Sequence, residues 1–479
     1  MPKKLLVVFF LLVSILLTGQ EKALNLLLAD SSMVSSSVSL CILNAVNGET
    51  VYEFHPGESL VPASVLKLVT TSAALELIGP EYRFKTIIGY TGNLNKRTGR
   101  LTGEIVIKGG GDPALGSEYF KDHYRNFLKN WITEIRKLGI NKIEGRIIVD
   151  DSRYDYQPVP AKWLWEDAGN YYGAGAYGLS IYDNKFEIHL KTSGDGSIPE
   201  ITAIVPDQWR HELSNQLIAS GNTDKGYVFS APYNDYGWLA GSIPVNREDY
   251  VLNASIMDPP LLLAKLFDSM LDSAGIAVSG DPSTTRIEKK LPGDEPVIIA
   301  EVISPPLGDI IEVLNHESVN LYAEHLIKEI GKTYVNKGTT KAGIEVLYRF
   351  LKDSGVNSDG IFLEDGSGMS PMDALTSRGL AEILLFMKRK ASYFTEFYNS
   401  LPDAGKEGTL KNYFKNPVFD SNLKAKSGSM TRVQNYAGYF KTISGNEMAF
   451  SILVNNFSGS SKRIITGIEE ILLETILNR

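Results

Sequence analysis

The spacing of hydrophobic residues changes character twice along this chain of 479 residues, and this change limits the folds open to it. The first part of the chain mixes strand-like and helical spacing. Residues 185 to about 251 give short strand-like runs with few helical periods, and long helical patterns return from Leu307. This order predicts one α+β domain whose chain is interrupted by a β-rich insertion.

Turn and breaker signals place individual elements. Alternation over Ser37–Leu43, the turn pair Asn47-Gly48 and the run Val51–Phe54 predict a β-hairpin. Pro62 opens a predicted helix that ends at the Gly-Pro pair after Ile78. Further helices are predicted at Glu21–Leu28, Phe120–Leu138, Pro259–Ala274, Leu307–Ile330, Lys341–Gly355, Pro371–Lys390 and Lys462–Leu477, and strands at Glu104–Lys108, Gly145–Val149, Glu295–Val302, Tyr436–Thr442 and Met448–Asn455.

The N-terminal segment is typical of a secretory signal. Lys3 and Lys4 precede an apolar run, Leu5–Leu17, of about 13 residues, whereas a membrane span needs about 20. We therefore expect residues 1–19 to be a cleaved signal, with an uncleaved anchor as the alternative. A lipoprotein is not expected, because Gln20 stands where a cysteine would be needed. The expected location is the periplasm, and loose association with the membrane or the cell wall stays open.

The charge balance and the cysteine count exclude several classes of protein. Lys plus Arg total 48 and Asp plus Glu total 56, without a dense basic stripe, so nucleic-acid binding is not expected. Cys41 alone cannot form an intrachain disulfide, a Cys-based zinc finger or a Cys-ligated iron–sulfur cluster. His316 and His325 lack the spacing of zinc ligands, and Gly109–Gly111 lacks the Lys-Ser/Thr of a phosphate-binding loop. No metal or cofactor is expected.

The first candidate for catalysis is Ser64-Val65-Leu66-Lys67, on the predicted helix that follows Pro62. Positions i and i+3 of a helix share one face, so the Lys67 amine can reach the Ser64 hydroxyl. A serine needs an adjacent base to act as a nucleophile, and a lysine with a lowered pKa can supply it. This motif alone is weak, because Ser421 and Lys424 have the same spacing.

A second motif, Ser318-Val319-Asn320, begins a helical pattern that continues through Leu326. The Ser318 hydroxyl could relay a proton to a leaving group, and the Asn320 amide could hold both a lysine and a substrate carbonyl. The same spacing occurs at residues 220–222 and 444–446, so it is not specific by itself.

The third motif, Lys426-Ser427-Gly428-Ser429, directly precedes two apolar strands and is the only Lys-Ser/Thr-Gly of the chain. Lys426 could bind a carboxylate and raise the local positive potential. Gly428 has no side chain, which would let a substrate approach the strand closely.

Together and in this order, the three motifs resemble the set found in penicillin-binding proteins and serine β-lactamases. About 250 residues separate Ser64 from Ser318. This layout resembles the class C low-molecular-mass penicillin-binding proteins, the D-alanyl-D-alanine carboxypeptidase/endopeptidase family, in which two extra domains are inserted between the first two motifs. Further strings similar to the family are Gly109–Pro113, Trp163–Asp167, Glu364–Ser370 and Leu401–Leu410.

The resemblance implies a fold and a division into domains. The expected fold is α+β: a penicillin-binding/serine β-lactamase-like catalytic domain, with an antiparallel sheet flanked by helices, that carries two inserted, largely β-rich domains. The expected parts are the signal (1–19), the catalytic domain (20–88 and 296–479), the second domain (89–185 and 263–295) and, nested in it, the third domain (186–262).

The resemblance also implies an activity, that of a serine DD-peptidase acting on peptidoglycan stem peptides as a carboxypeptidase, an endopeptidase or both. Ser64 would attack the carbonyl carbon, and Lys67 would take its proton. Ser318 and Asn320 would assist proton transfer to the leaving amine, with Lys426 tuning the local field. β-Lactams would be covalent inhibitors, and the backbone N–H groups of Ser64 and Ser429 would bind the oxyanion.

The expected substrate-binding residues come from two parts of the chain. Ser427, Gly428, Ser429 and Met430 belong to the third motif. Asp167 and Tyr172 belong to the insertion, where the family implies that the aspartate faces the amino end of a diaminopimelate side chain; a carboxylate that caps a loop is the alternative. Trp163, Trp165, Tyr171 and Tyr172 would either be buried or bind peptide or glycan.

The chain departs from the family pattern at a few positions. Ser427 stands where threonine is commoner, and Val319 where aspartate often stands. Pro371 replaces an arginine of some relatives, and Met430-Thr431 follows the third motif where some relatives have Leu-Gln. Loss of these polar groups would weaken the hold on a diaminopimelate carboxylate, so the peptide preference stays open.

Two other functions compete with the peptidase. A β-lactamase or esterase on the same fold would use the same motifs, but the large insertion and the Trp-x-Trp-x-Asp element favour the peptidase. A non-catalytic cell-wall-binding protein is disfavoured, because all the expected catalytic side chains are present.

Overall fold

The computed structural model describes residues 18–207, 209, 212–290 and 295–478. Most of the expected secretory signal, residues 1–17, lies outside these ranges. Within the described ranges, no helix is both long enough and apolar enough to cross a membrane.

The helices lie mainly towards the two ends of the chain and the strands throughout it. The helices are α1 Gly19–Leu28, α2 Lys67–Ile78, α3 Phe127–Lys137, α4 Trp165–Ala168, α5 Pro259–Ser273, α6 Thr285–Glu288, α7 Leu307–Glu317, α8 Asn320–Val335, α9 Thr340–Asp353, α10 Ser377–Lys390, α11 Phe394–Asn399 and α12 Ser461–Asn478. The strands are β1 Ser37–Asn44, β2 Thr50–Phe54, β3 Ser59–Leu60, β4 Lys85–Tyr90, β5 Asn93–Asn95, β6 Arg100–Thr102, β7 Ile105–Lys108, β8 Lys142–Ile143, β9 Ile147–Asp150, β10 Lys185–Lys191, β11 Glu200–Val205, β12 Glu212–Asn215, β13 Ile218–Ala219, β14 Lys225–Phe229, β15 Tyr236–Ile243, β16 Tyr250–Ser255, β17 Ala277–Val278, β18 Ser283–Thr284, β19 Val297–Ile303, β20 Leu375–Thr376, β21 Lys424–Met430, β22 Val433–Lys441 and β23 Glu447–Asn455.

A five-stranded antiparallel sheet joins the two ends of the chain, in the order β2-β1-β23-β22-β21. Its central strands are apolar on both faces, because helices cover both sides. Leu40 and Ile452 pack against α1 and α12 on one side, and Ala437 and Leu453 pack against α2 and α10 on the other. The predicted hairpin of β1 and β2 is confirmed, and Gly48 takes the positive φ of its turn.

The middle of the chain forms separate sheets. A mixed sheet in the order β18-β9-β7-β4-β19 packs against α3 and α5, where Trp131 contacts Phe267 edge to face. A smaller sheet has the order β17-β8-β6-β5. The region from β10 to β16 forms the sheets β11-β10-β16 and β12-β15-β13, with β14 paired to β15. The β-rich middle predicted from hydrophobic spacing is therefore confirmed.

Strand pairing suggests where the insertion begins and ends. β4 and β19 pair with each other and belong to the mixed sheet, so the expected boundary between residues 88 and 89 falls inside a strand of the insertion. The expected boundary between residues 262 and 263 likewise falls inside α5. We propose that the insertion starts just before Lys85 and ends just after Ile303, which shifts both outer boundaries by several residues.

Three predicted helices differ from those observed. The long pattern over Leu307–Ile330 is two helices, because Ser318 adopts a left-handed conformation (φ 59°) between α7 and α8. The prediction at Phe120–Leu138 was too long, since α3 begins only at Phe127 after a series of turns. The prediction at Pro371–Lys390 was also too long, because α10 begins at Ser377, capped by the Thr376 hydroxyl.

Candidate active site

Ser64 lies on a tight turn that the central sheet holds in place. The turn Ala63–Leu66 is a 3-10 helix that leads into α2, and Ala63 has a positive φ of 47°. The side-chain amide of Asn435, on β22, donates hydrogen bonds to the carbonyl oxygens of Val61 (2.9 Å) and Pro62 (2.7 Å). The sequence predicted that Ser64 lies on a regular α-helix. The structure instead places it on a fixed 3-10 turn just before α2.

Lys67 is completely buried and contacts Ser64 directly. Its Nζ donates to Ser64 Oγ at 2.9 Å, to Asn320 Oδ1 at 2.6 Å and to the carbonyl oxygen of Ser367 at 2.7 Å. Burial lowers the pKa of Lys67 from its ordinary value to about 7, although the carboxyl groups of Asp365 and Glu324 act in the opposite direction. A large fraction of Lys67 is thus neutral near pH 7, as a general base must be.

A second buried lysine, Lys426, approaches the same site from strand β21. Its Nζ donates to Ser318 Oγ at 2.9 Å and to the carbonyl oxygen of Ser427 at 2.8 Å. Burial lowers the pKa of Lys426 well below its ordinary value, and the charge of Lys67 adds to this. The left-handed backbone of Ser318 turns the chain between α7 and α8 at this point. The second and third motifs are therefore joined by a direct hydrogen bond.

Asn320, the first residue of α8, uses both ends of its amide. Oδ1 accepts from Lys67, and Nδ2 donates to the backbone carbonyl of Tyr172 at 2.8 Å. Tyr172 belongs to the insertion, so the insertion fixes which way the Asn320 amide faces.

These residues border a cleft of about 630 Å³. The predicted residues that line it are Ser64, Asp167, Tyr172, Ser318, Asn320, Ser427, Ser429 and Met430. Lys67 and Lys426 are buried beside the cleft and do not line it. The cleft wall also contains Thr409, whose hydroxyl accepts a hydrogen bond from Ser427 Oγ at 2.7 Å, and Tyr227 from the nested region.

Gly428 does not line the cleft, and the packing of the protein itself leaves no room for a side chain at this position. A Cβ atom at Gly428 would lie 2.6 Å from the carbonyl oxygen of Pro62 and 3.0 Å from the backbone nitrogen of Ser64. The glycine therefore makes room for the turn that carries Ser64, which lets β21 pass directly beside the Ser64 amide.

Asp167 and Tyr172 lie together on the insertion side of the cleft. Burial raises the pKa of Asp167, while a hydrogen bond from the Tyr172 side chain opposes that shift. The pair gives this wall a carboxylate and a phenol. Their role in binding substrate stays a prediction.

The loop Glu364–Ser370, for which the sequence predicted no role, holds Lys67 in place. The carboxylate of Asp365 accepts hydrogen bonds from four successive backbone N–H groups, of residues 367 to 370, and from the indole N–H of Trp163 at 2.7 Å. In the same loop, the backbone carbonyl of Gly366 accepts a hydrogen bond from the Thr70 hydroxyl at 2.6 Å. The loop thereby fixes the Ser367 carbonyl that contacts Lys67, and Trp163 ties it to the insertion.

Polar side chains of α8, the helix that begins with Asn320, hold this helix against the insertion. Lys328 is fully buried and donates to Asp155 at 2.7 Å and to two backbone carbonyls of the insertion. His325 is buried and contacts Ser180 and a carbonyl, and burial lowers its pKa to about 3, so it is neutral. The sequence predicted no such role for Lys328 or His325, because only the tertiary contacts give them partners. Neither this histidine nor others in the described ranges joins a group of three or more side chains placed to hold a metal ion.

The sequence of the chain matches a known family over almost its whole length. Residues 20–473 match the sequence model of the D-Ala-D-Ala carboxypeptidase 3 (S13) family. The chain belongs to this family. Its members are serine hydrolases, so the expected family and enzyme class are confirmed.

Two characterised relatives align over most of their length. The D-alanyl-D-alanine carboxypeptidase of Actinomadura sp. (strain R39) is 27% identical over 456 residues, which cover 92% of this chain and 82% of that protein. The D-alanyl-D-alanine carboxypeptidase DacB of Haemophilus influenzae is 22% identical over 431 residues, which cover 88% of this chain and 86% of that protein.

A solved structure confirms the fold. The crystal structure of penicillin binding protein 4 (dacB) from Haemophilus influenzae superimposes with a TM-score of 0.79, at 22% identity, over 92% of this chain and 96% of that one. The same protein complexed with a β-lactam gives a TM-score of 0.74, at 21% identity, over the same shares. The predicted α+β penicillin-binding-protein fold is therefore correct.

Proposed function

We propose that this chain is an exported serine DD-peptidase that cleaves peptidoglycan stem peptides through an acyl-enzyme on Ser64. The observation that carries the proposal is the continuous set of contacts in which Lys67 bonds Ser64 and Asn320, beside the bonded pair of Lys426 and Ser318. Membership of the D-Ala-D-Ala carboxypeptidase 3 family supports the substrate class.

In the acylation step, Ser64 Oγ attacks the carbonyl carbon that precedes the terminal D-alanine, and its proton moves to the neutral amine of Lys67. The carbonyl oxygen becomes an oxyanion, held by the backbone N–H groups of Ser64 and Ser429. Removal of one such donor costs about 3–4 kcal/mol in related chemistry. As the C–N bond breaks, the proton passes by way of Ser318 to the departing amine.

In the deacylation step, water adds to the ester carbonyl and gives a proton to Lys67. The C–O bond to Ser64 breaks, and Ser64 Oγ takes a proton back, so the enzyme returns to its starting state. Asn320 holds Lys67 in place, and Lys426 donates a hydrogen bond to Ser318 Oγ, which positions that hydroxyl. A terminal D-alanine as leaving group gives a carboxypeptidase, and a cross-link amine gives an endopeptidase.

The remaining cleft residues bind the peptide. The strand residues Ser427, Ser429 and Met430 line one wall and the insertion residues Asp167 and Tyr172 the other. We assign Asp167 to a cationic group on the stem peptide, since a carboxylate faces the cleft there. A β-lactam would acylate Ser64 in the same way as the peptide, in keeping with the β-lactam complex of the Haemophilus protein.

The proposal is tested by intact-mass analysis of the mature protein after incubation with penicillin. We expect a persistent mass gain of one penicillin in the wild type and none in Ser64→Ala. Ser421→Ala is the matched control, because Ser421 precedes Lys424 with the same spacing but lies on an exposed loop. It should acylate like the wild type.

Two results would overturn the proposal. Fast hydrolysis of penicillin without a lasting adduct would indicate a β-lactamase. A folded protein with neither adduct nor hydrolysis of D-Ala-D-Ala peptides would indicate a protein that only binds the cell wall.

A further inference from the structure

A second concave surface lies next to the cleft, on the insertion. This groove has a volume of about 360 Å³. No charged side chain lines it, and aromatic residues and prolines make up half of its walls; they include Tyr156, Pro158, Pro160, Trp163, Trp165 and Tyr233. Leu164 lines both the groove and the cleft, so the two are adjacent.

Trp165 is held in place and yet largely exposed. Its ring packs against Phe229 (centroids 5.5 Å apart) and Trp238 (5.0 Å), which themselves stack with an interplanar angle of 8°. The side chain nevertheless stays 61% exposed. A large exposed apolar side chain in a patch is typical of a binding surface. Packing against Phe229 and Trp238 also holds the Trp165 ring in place. A ligand that stacks on it therefore costs the protein little conformational entropy.

Other walls of the groove are fixed in the same way. The indole N–H of Trp163 bonds Asp365, and the Arg286 guanidinium lies 4.0 Å from the ring centroid of Tyr233. The groove is therefore preformed, with ring faces on more than one side.

The chemistry of the groove selects its ligand. A groove wall without a charged side chain favours a neutral ligand with flat C–H faces, and it disfavours the charged groups of a stem peptide. Pyranose sugars have such faces and carry hydroxyl and acetamido groups that can bond Gln157 or the backbone. On the proposed function, the peptide in the cleft is attached to an N-acetylated sugar. We propose that the groove beside Trp165 binds this sugar of the glycan strand.

The cleft and the groove lie side by side. A stem of four residues spans roughly 14 Å when extended, at about 3.5 Å per residue. The two surfaces share Leu164, and Trp165 follows it directly, so the sugar can reach the groove while the peptide occupies the cleft. The insertion would then bind the glycan strand to which the peptide is attached.

The binding test uses a neutral probe, the N-acetylglucosaminyl-N-acetylmuramic disaccharide with its lactyl carboxylate amidated, in saturation-transfer NMR. We expect transfer to the sugar protons from the wild type and at least a fivefold weaker affinity in Trp165→Ala. Tyr334→Ala is the control, because Tyr334 is 49% exposed and lies near the opposite end of α8 from Asn320. Unchanged penicillin acylation of Trp165→Ala verifies that the variant is folded.

A kinetic test separates this proposal from the proposed function. For the disaccharide-pentapeptide, kcat/KM should fall at least fivefold in Trp165→Ala, whereas for the free pentapeptide it should change less than twofold. Equal effects on both substrates, or no disaccharide binding to the wild type, would overturn the sugar site. So would binding of a proline-rich peptide in place of the disaccharide, which would assign the groove to a protein partner. If neither substrate is cleaved, the proposed function fails, and the NMR result still decides the sugar site.

Discussion

The backbone carbonyl oxygen of Tyr172 accepts a hydrogen bond of 2.8 Å from the side-chain amide of Asn320. Tyr172 lies in the insertion, and Asn320 lies at the start of α8. A residue far away in the sequence therefore fixes the orientation of the Asn320 amide. Because the amide nitrogen faces Tyr172, the amide oxygen must face Lys67, at 2.6 Å. The insertion is therefore a part of the candidate active site and not an appendage to it.

The first prediction concerns this amide. Asn320→Asp replaces the donor to Tyr172 by an oxygen and places a carboxylate beside Lys67, which raises the pKa of Lys67. We expect penicillin acylation at pH 7 to slow about fivefold, because a rise of about one unit from a pKa of about 7 lowers the neutral fraction of Lys67 by that factor. Stopped-flow acylation measures this rate. Asn336→Asp, at the far end of α8, should have no such effect, and an unchanged rate in Asn320→Asp would contradict the role of the amide.

The second prediction concerns pH. Burial lowers the pKa of Lys67 to about 7, and only the neutral amine can accept the Ser64 proton. The acylation rate should therefore rise with pH, be half-maximal near pH 7 and level off above it. Single-turnover acylation between pH 5 and 9, with circular dichroism to verify the fold, provides the measurement. A flat profile would exclude Lys67 as the base.

The third prediction concerns Gly428. In Gly428→Ala the new Cβ would lie 2.6 Å from the carbonyl oxygen of Pro62 and 2.8 Å from the nitrogen of Val65, so β21 must move away from the turn of Ser64. We expect acylation to fall more than tenfold and the free energy of unfolding to drop by about 1–3 kcal/mol, as for other overpacked sites. Gly57→Ala is the control, because nothing lies within 4 Å of a Cβ there. Normal acylation in Gly428→Ala would show that the strand does not position Ser64.

The fourth prediction concerns the link between the insertion and Lys67. Trp163→Phe keeps an aromatic ring but removes the N–H that donates to Asp365. Leaving this buried carboxylate short of a donor should cost about 1–3 kcal/mol of stability. The loop also fixes the Ser367 carbonyl that contacts Lys67, so the midpoint of the pH–rate profile should move as well.

Trp131→Phe is the matched control for this fourth prediction. Within the described residues, the buried indole N–H of Trp131 has no hydrogen-bond partner, so its removal breaks no such bond. The control should leave the pH–rate profile unchanged. If Trp163→Phe also leaves it unchanged, Trp163 only stabilises the fold.

Much of the fold could be predicted, because the signals are local. The hairpin of β1 and β2 is encoded by alternation and an Asn-Gly turn, and α5 by a Pro start and apolar periodicity. The helix predicted over Leu307–Ile330 ran through the break at Ser318 because the apolar pattern continues there, and a left-handed residue leaves no mark on hydrophobic spacing. The starts of α3 and α10 were also misplaced: Asn126 before α3 has a left-handed backbone, and the Thr376 hydroxyl caps α10, neither of which changes the hydrophobic spacing.

The sequence by itself determined the family, the order of the three motifs and the residue types that the chemistry needs, since these are properties of short segments. The Ser-x-x-Lys spacing alone did not distinguish Ser64-x-x-Lys67 from Ser421-x-x-Lys424, and the order of the three motifs was needed to choose the first pair. Only the tertiary structure decided that Lys67 is buried against Asn320, and that Asp365, Trp163 and the Tyr172 carbonyl support it. The physical reason is that burial and hydrogen bonding between residues more than a hundred positions apart set both the pKa of Lys67 and the orientation of Asn320. A linear pattern contains neither.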